Sequence, residues 1–194
     1  MRRLSTDDRS SAGRPPGEIG DAGRTRVCNR AQSGSVGGTK GSPQIIEFLN
    51  EALTAELTAI NQYFAHAKLC ESWGWHRLAG KYREESIEEM RDAEKLMDRI
   101  LLLDGMPNMQ RLGSVRVGAT PLGQGEVATA LEAAAVAMYR RGSALASAEG
   151  DPGTRELLDD LVVGEEEHLD WIETQLHALG DIGIGRYLQS QLGG

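Results

Sequence analysis

The sequence predicts an all-α protein: four long helices in a bundle with one long crossover, and a short fifth helix at the C-terminus. Three observations lead there. From Pro43 onward, apolar residues recur at helical rather than strand spacing. Helix-opening and helix-ending residues divide that stretch into four long segments. The connections between the segments run short, long, short, which is the order of an antiparallel bundle crossed once by a long link.

Ser42-Pro43 opens the first helix with a capping hydroxyl followed by a proline at the first helical position. Its stripe runs through positions 45, 49, 53, 56, 60, 63, 67 and 70. The second helix reads Leu78, Tyr82, Glu85, Glu89, Ala93, Leu96, Ile100, Leu103 and stops at Asp104-Gly105, with Pro107 just beyond. Residues 105–121 mix glycine and proline with residues of every kind and form the long connection. The third helix, about 122–149, is alanine-rich and weakly patterned, and Glu149-Gly150-Asp151-Pro152-Gly153 turns the chain. The fourth helix has the cleanest stripe: Leu158, Leu161, Glu165, His168, Ile172, Leu176, Leu179. A last helix, about 184–192, follows Gly183.

Residues 1–41 differ from the rest. They hold eight glycines and few side chains worth burying, so they cannot offset their ordering entropy and read as a disordered tail. A flexible tail, a mis-assigned start codon and a functional arm all fit that composition. The segment carries eight Lys/Arg against four Asp/Glu, whereas residues 42–194 carry 13 against 25. An acidic body of that kind disfavours nucleic acid and favours metal cations. No apolar run, Ile100–Leu103 included, approaches the roughly 20 residues that span a bilayer, so no membrane role is expected. Met1-Arg2-Arg3 lacks a following apolar stretch, and Cys28 and Cys70 are isolated, which makes a reducing cytoplasmic setting the default expectation.

The informative positions are those where the stripes stop being apolar. Glu56 falls between Leu53 and Ile60 on helix one, with Tyr63 two turns on. Glu89 falls on the stripe of helix two, with Asp92 one turn along, and Glu165 and His168 repeat that spacing on helix four. A carboxylate facing an apolar interior is expensive unless paired. Three helices aiming acid at one interior must share a positive partner, and no lysine or arginine occupies a stripe position beside them. Any one of these residues alone would pass for a solvated helix face or an ordinary core histidine. Their conjunction, hard oxygen donors plus one imidazole in phase with the core, points to iron or manganese at a di-iron carboxylate centre of the ferritin-like kind.

Four segments then carry a more specific resemblance: Glu56-Leu-Thr-Ala-Ile-Asn-Gln-Tyr63-Phe, Glu85-Ser-Ile-Glu-Glu89-Met90, Arg99-Ile-Leu-Leu-Leu-Asp-Gly-Met-Pro-Asn108 and Glu165-Glu-Glu-His168-Leu-Asp-Trp-Ile-Glu-Thr-Gln. From about Ser42 to the C-terminus the chain resembles bacterioferritin. The resemblance implies a ferritin-like bundle, a 24-subunit hollow shell, ferroxidase chemistry with O2 or H2O2 as oxidant, a stored ferric mineral and haem b. It implies that Glu56 and Glu132 each ligate one iron, that Glu89 and Glu165 bridge the two, and that His168 ligates the second. Glu132 comes from the resemblance alone, because helix three has no readable phase. Tyr63 would sit beside the site as a hydrogen-bond donor or transient electron source. Met90, turned about 100° from Glu89, would be the axial haem ligand contributed by each of two subunits, and a ferredoxin-type reductant would deliver electrons for iron release.

One departure matters. The family has a histidine where this chain has Asp92, so the expected ligand set is Glu56, Glu89, Asp92, Glu132, Glu165 and His168. None of His66, His76 and His177 is in phase to replace the missing imidazole. Asp92 either ligates iron with one extra negative charge or leaves the first iron loosely held. The second outcome implies a haem-presenting structural subunit that co-assembles with an active bacterioferritin partner in a mixed shell. A DNA-protecting protein using the basic tail, and a di-iron oxygenase, are weaker rivals.

Overall fold

A computed structural model describes residues 40–193 of the chain; the expected tail therefore lies outside the described residues apart from Lys40 and Gly41. The helices are α1 (Pro43–Ser72), α2 (His76–Leu102), α3 (Pro121–Ala148), α4 (Pro152–Ile182) and α5 (Ile184–Ser190). The order of elements is the expected one; α3 matches its expected span to within one residue, and α5 ends at Ser190 where about 192 was expected.

Three of the four long helices begin with the same chemistry. Ser42, Thr120 and Asp151 accept backbone N–H bonds from Gln44, Gly123 and Thr154 at 3.3, 3.1 and 3.0 Å, and each is followed by proline. Such a cap contributes about 1 kcal/mol by satisfying a donor that the helix itself leaves unpaired. Gly74 turns the chain between α1 and α2 with φ +87°, a conformation that a side chain would strain.

The crossover, residues 103–120, lies along α1 because three polar side chains of that helix hold it. Asn50 donates to the carbonyl of Met106 (3.3 Å) and accepts from the N–H of Asn108 (2.7 Å). Thr58 accepts from Gly113 (2.8 Å) and Gln62 from Arg116 (3.0 Å). These residues sit on one flank of α1, so the link is fastened at three levels.

The core is in two parts. One cluster gathers Ile45, Leu49, Leu53, Leu96, Ile100 and Leu158; the other gathers Tyr63, Cys70, Leu78, Tyr82, Ile172 and Tyr187. Fully burying each large aliphatic side chain contributes about 1.5–3 kcal/mol. Between the two clusters the inward positions are occupied by Glu56, Glu89, Glu132 and Glu165. Packing on both sides therefore holds a polar layer across the middle of the bundle. No described helix is long and apolar enough to cross a membrane.

Candidate metal centre

Each of the four long helices delivers one carboxylate to this layer: Glu56 from α1, Glu89 from α2, Glu132 from α3 and Glu165 from α4. All four are at most 3 % exposed. A carboxylate oxygen from each of Glu89, Glu132 and Glu165 and a ring nitrogen of His168 lie within 4.8 Å of one another. His168 Nδ1 is 3.7 Å from both Glu89 Oε1 and Glu165 Oε2, and Glu56 adjoins the group through Glu89.

These groups are not satisfied by protein. Glu56 Oε2, both oxygens of Glu89, Glu165 Oε2 and His168 Nδ1 are buried without a hydrogen-bond partner. Among the described residues no lysine or arginine forms an ion pair with any of the four: Lys81 pairs with Glu85, and Lys95 with Asp92 at 2.6 Å. Burial therefore pushes Glu56 up to about 8, with the close approach of Glu89 and the hydrogen bond from Tyr139 opposing the shift and the charge of Glu165 adding to it. Burial and the neighbouring carboxylates likewise hold Glu89 and Glu132 well above the ordinary range. At His168 burial works against the charged form, but the close approach of the Glu165 and Glu85 carboxylates and the surrounding negative charge overcome it and raise the imidazole to about 11. Oxygens of Glu89, Glu132 and Glu165 gathered with a ring nitrogen of His168, and Glu56 beside them, form a donor set for hard divalent cations.

The expected residues fall as follows. Glu89, Glu132, Glu165 and His168 converge, with Glu56 beside Glu89. Tyr63, fully buried, donates its hydroxyl to Glu132. Met90 is 55 % exposed although its neighbour Glu89 is 1 % exposed, as a position turned away from the bundle interior requires. Asp92 lies at the edge, paired with Lys95; its oxygens are outside the convergent group, although its charge contributes to the raised pKa values of Glu56 and Glu89.

Three residues were not singled out from the sequence. Tyr139, completely buried on α3, donates its hydroxyl to Glu56 Oε1. It follows Glu132 by seven residues, as Tyr63 follows Glu56, and that repeat was the available signal. Glu85, 2 % exposed, stands 2.9 Å from His168 Nε2, and Glu88 stands 3.0 Å from the same nitrogen. His168 thus faces Glu89 and Glu165 with Nδ1 and a second, outer carboxylate pair with Nε2. His66 is buried against Tyr63 and Tyr82 with its rings 6.1 and 5.3 Å away, and burial lowers it to about 4. It is outside the convergent groups, as its phase predicted.

Comparison with known proteins identifies the family. The ferritin-like domain family matches residues 46–182. A bacterioferritin of Mycobacterium leprae is 48 % identical over 148 residues, 76 % of this chain and 93 % of the relative. A bacterioferritin of Streptomyces coelicolor is 48 % identical over 151 residues, 78 % and 90 % respectively. The solved structure of Mycobacterium tuberculosis bacterioferritin BfrA superposes with a TM-score of 0.78 at 44 % identity, covering 79 % of this chain and 97 % of that one. A bundle with one acid per helix, and this degree of identity over nearly the whole length of its relatives, make the chain a member of the bacterioferritin family of ferritin-like proteins.

Proposed function

We propose that the protein oxidises Fe(II) at the convergent carboxylate–histidine centre and stores the product as a ferric mineral inside a 24-subunit shell. The observation that carries this reading is the set of buried donor atoms, on four different helices, with which no described lysine or arginine pairs. Iron is the substrate: Glu56, Glu89, Glu132, Glu165 and His168 hold two ferrous ions, with Glu89 and Glu165 between them. The two ions release two electrons, which with two protons reduce O2 to H2O2, or H2O2 to two waters. Loading two ions displaces the protons that burial holds on Glu56, Glu89 and Glu132, so the site supplies protons as it fills. Tyr63 and Tyr139 orient Glu132 and Glu56, and Tyr63 is placed to lend an electron.

Met90 fits a shared haem b. Its thioether is a soft donor on the outer face of α2, unused within the subunit, and a two-fold contact through that face would bring two of them together. When bound, the haem supplies an electron path from a ferredoxin-type reductant to the stored iron.

The pairing of Asp92 with Lys95 supports a second reading, a subunit with a weakened first-iron side that works in a mixed shell with an active partner. Rapid mixing separates the two. About two Fe(II) per subunit, added anaerobically and then exposed to O2, should produce a fast near-ultraviolet rise that saturates at that ratio. A slow rise without saturation, cured by Asp92→His, supports the structural subunit. Absence of Fe(II) binding in both proteins overturns the ferroxidase reading.

A further inference from the structure

The donor cluster has two approaches of opposite chemistry. On the side of α2 and α4 a chain of ligands runs inward: half-exposed Glu88, then His168 and buried Glu85, then the four core acids. On the side of α1 and α3 lies a cleft of about 100 Å³. Its rim and walls are four alanines (Ala55, Ala59, Ala134 and Ala135), Leu131 and Met138, and its floor is Glu56 and Glu132 themselves. Ala134 is exposed, Ala55 and Ala135 are half-buried, and Ala59 and Met138 are buried, so the cleft descends from the surface to the carboxylates. At its base Glu56 Oε2 is buried and has no hydrogen-bond partner.

Above that floor the lining side chains are alanines, Leu131 and Met138, all of them apolar. A hydrated divalent cation entering there would shed water with nothing to replace it, and small hard cations dehydrate reluctantly. An uncharged diatomic molecule loses almost nothing. The volume is about three times the share of one water molecule in the liquid, roughly 30 Å³, enough for a diatomic gas but tight for a hexahydrated ion. The opposite approach offers oxygen and nitrogen donors at every step, as a cation requires.

We infer that the α1–α3 cleft is the path by which dioxygen reaches the centre, separate from the cation path past Glu88, Glu85 and His168. The inference rests on the ferroxidase reading above and adds to it the route of the oxidant. The alanines of α3, which obscure the phase of that helix, then have a purpose: they leave the gap open.

The test uses the assembled protein and two plugging variants, Ala135→Leu and Ala55→Leu, both at half-buried positions where a larger side chain can extend over the opening. Three readouts are taken: anaerobic Co(II) uptake by its visible absorption, the rate of Fe(II) oxidation by O2, and xenon density in pressurised crystals. Xenon should occupy the wild-type cleft and be lost from both variants, since dry apolar cavities bind it. Oxidation by O2 should slow by about tenfold, while the amplitude and rate of Co(II) uptake stay within about twofold. Co(II) uptake slowed in step with oxidation would make the cleft the cation path and overturn the inference. An unchanged oxidation rate in both variants, or no xenon in the wild type, overturns it as well. A wild type that binds Co(II) yet oxidises no Fe(II) overturns the functional reading, and the cleft's role with it; effects confined to the variants bear on the cleft alone.

Discussion

The hydroxyl of Tyr139 donates to Glu56 across the same layer in which Tyr63 donates to Glu132. Each tyrosine stands seven residues after the acid of its own helix and reaches the acid of the other, which requires α1 and α3 to run antiparallel. The reciprocity places one neutral donor on Glu56 and one on Glu132. Both oxygens of Glu89 and Oε2 of Glu165 have no partner.

Tyr139→Phe removes a hydrogen bond that lowers the Glu56 pKa. Glu56 then holds its proton more tightly, and divalent cations must displace it. Co(II) binding at pH 7 should weaken by about fivefold, corresponding to roughly 1 kcal/mol for one hydrogen bond, and the pH midpoint of binding should move upward. A merely structural role would lower thermal stability without moving that midpoint. Spectrophotometric Co(II) titrations between about pH 6 and 9 give the answer.

The metal-free protein should lose stability as pH rises. Glu56 is raised from 4.5 to about 8, and Glu89 and Glu132 are raised as well. Between the unfolded and folded pKa values the native state binds more protons than the unfolded state, so unfolding becomes easier with each step upward. Their contribution is complete below about pH 4.5 and is lost as pH passes through about 8. Thermal melts of metal-free protein from pH 6 to 9 should show a falling Tm, and added Co(II) should reverse the fall at the upper end by replacing protons with metal charge.

Met90→Leu should abolish haem binding without touching iron oxidation. The side chain is exposed and its loss leaves no cavity in the bundle. Haem titrated into the assembled variant should show none of the Soret shift expected of thioether ligation, whereas the oxidation rate with O2 stays within about twofold of wild type. A retained shift would remove Met90 as the axial ligand.

Gly142→Ala should destabilise the bundle by about 1–3 kcal/mol through overpacking. A methyl group at Gly142 would lie 2.1 Å from the Phe48 ring, and that ring is buried between α1 and α3. An added methyl there pushes Phe48 of α1 away from α3, so the substitution should also widen the cleft above Glu56. Urea unfolding gives the stability change, and Ala→Gly at exposed Ala144 serves as a control for helix propensity alone.

Much of this protein can be read from its sequence. The helix spans follow from caps, prolines and the 3.6-residue period, because those signals are local and each acts within a few residues of itself. Three of the four core acids and His168 are visible for the same reason: they interrupt an otherwise apolar stripe, and an interruption of that kind has few meanings. Glu132 and Tyr139 escape such reading because α3 is built of alanine, and a helix whose small residues are acceptable on any face has no phase to interrupt. What only the tertiary structure decides is contact between helices. It sets Glu85 and Glu88 on the far nitrogen of His168, crosses the two tyrosines onto opposite acids and leaves a cleft where alanines face each other. None of these is a property of one helix, since each depends on the rotation and distance at which two helices pack, and that geometry is set jointly by every side chain between them.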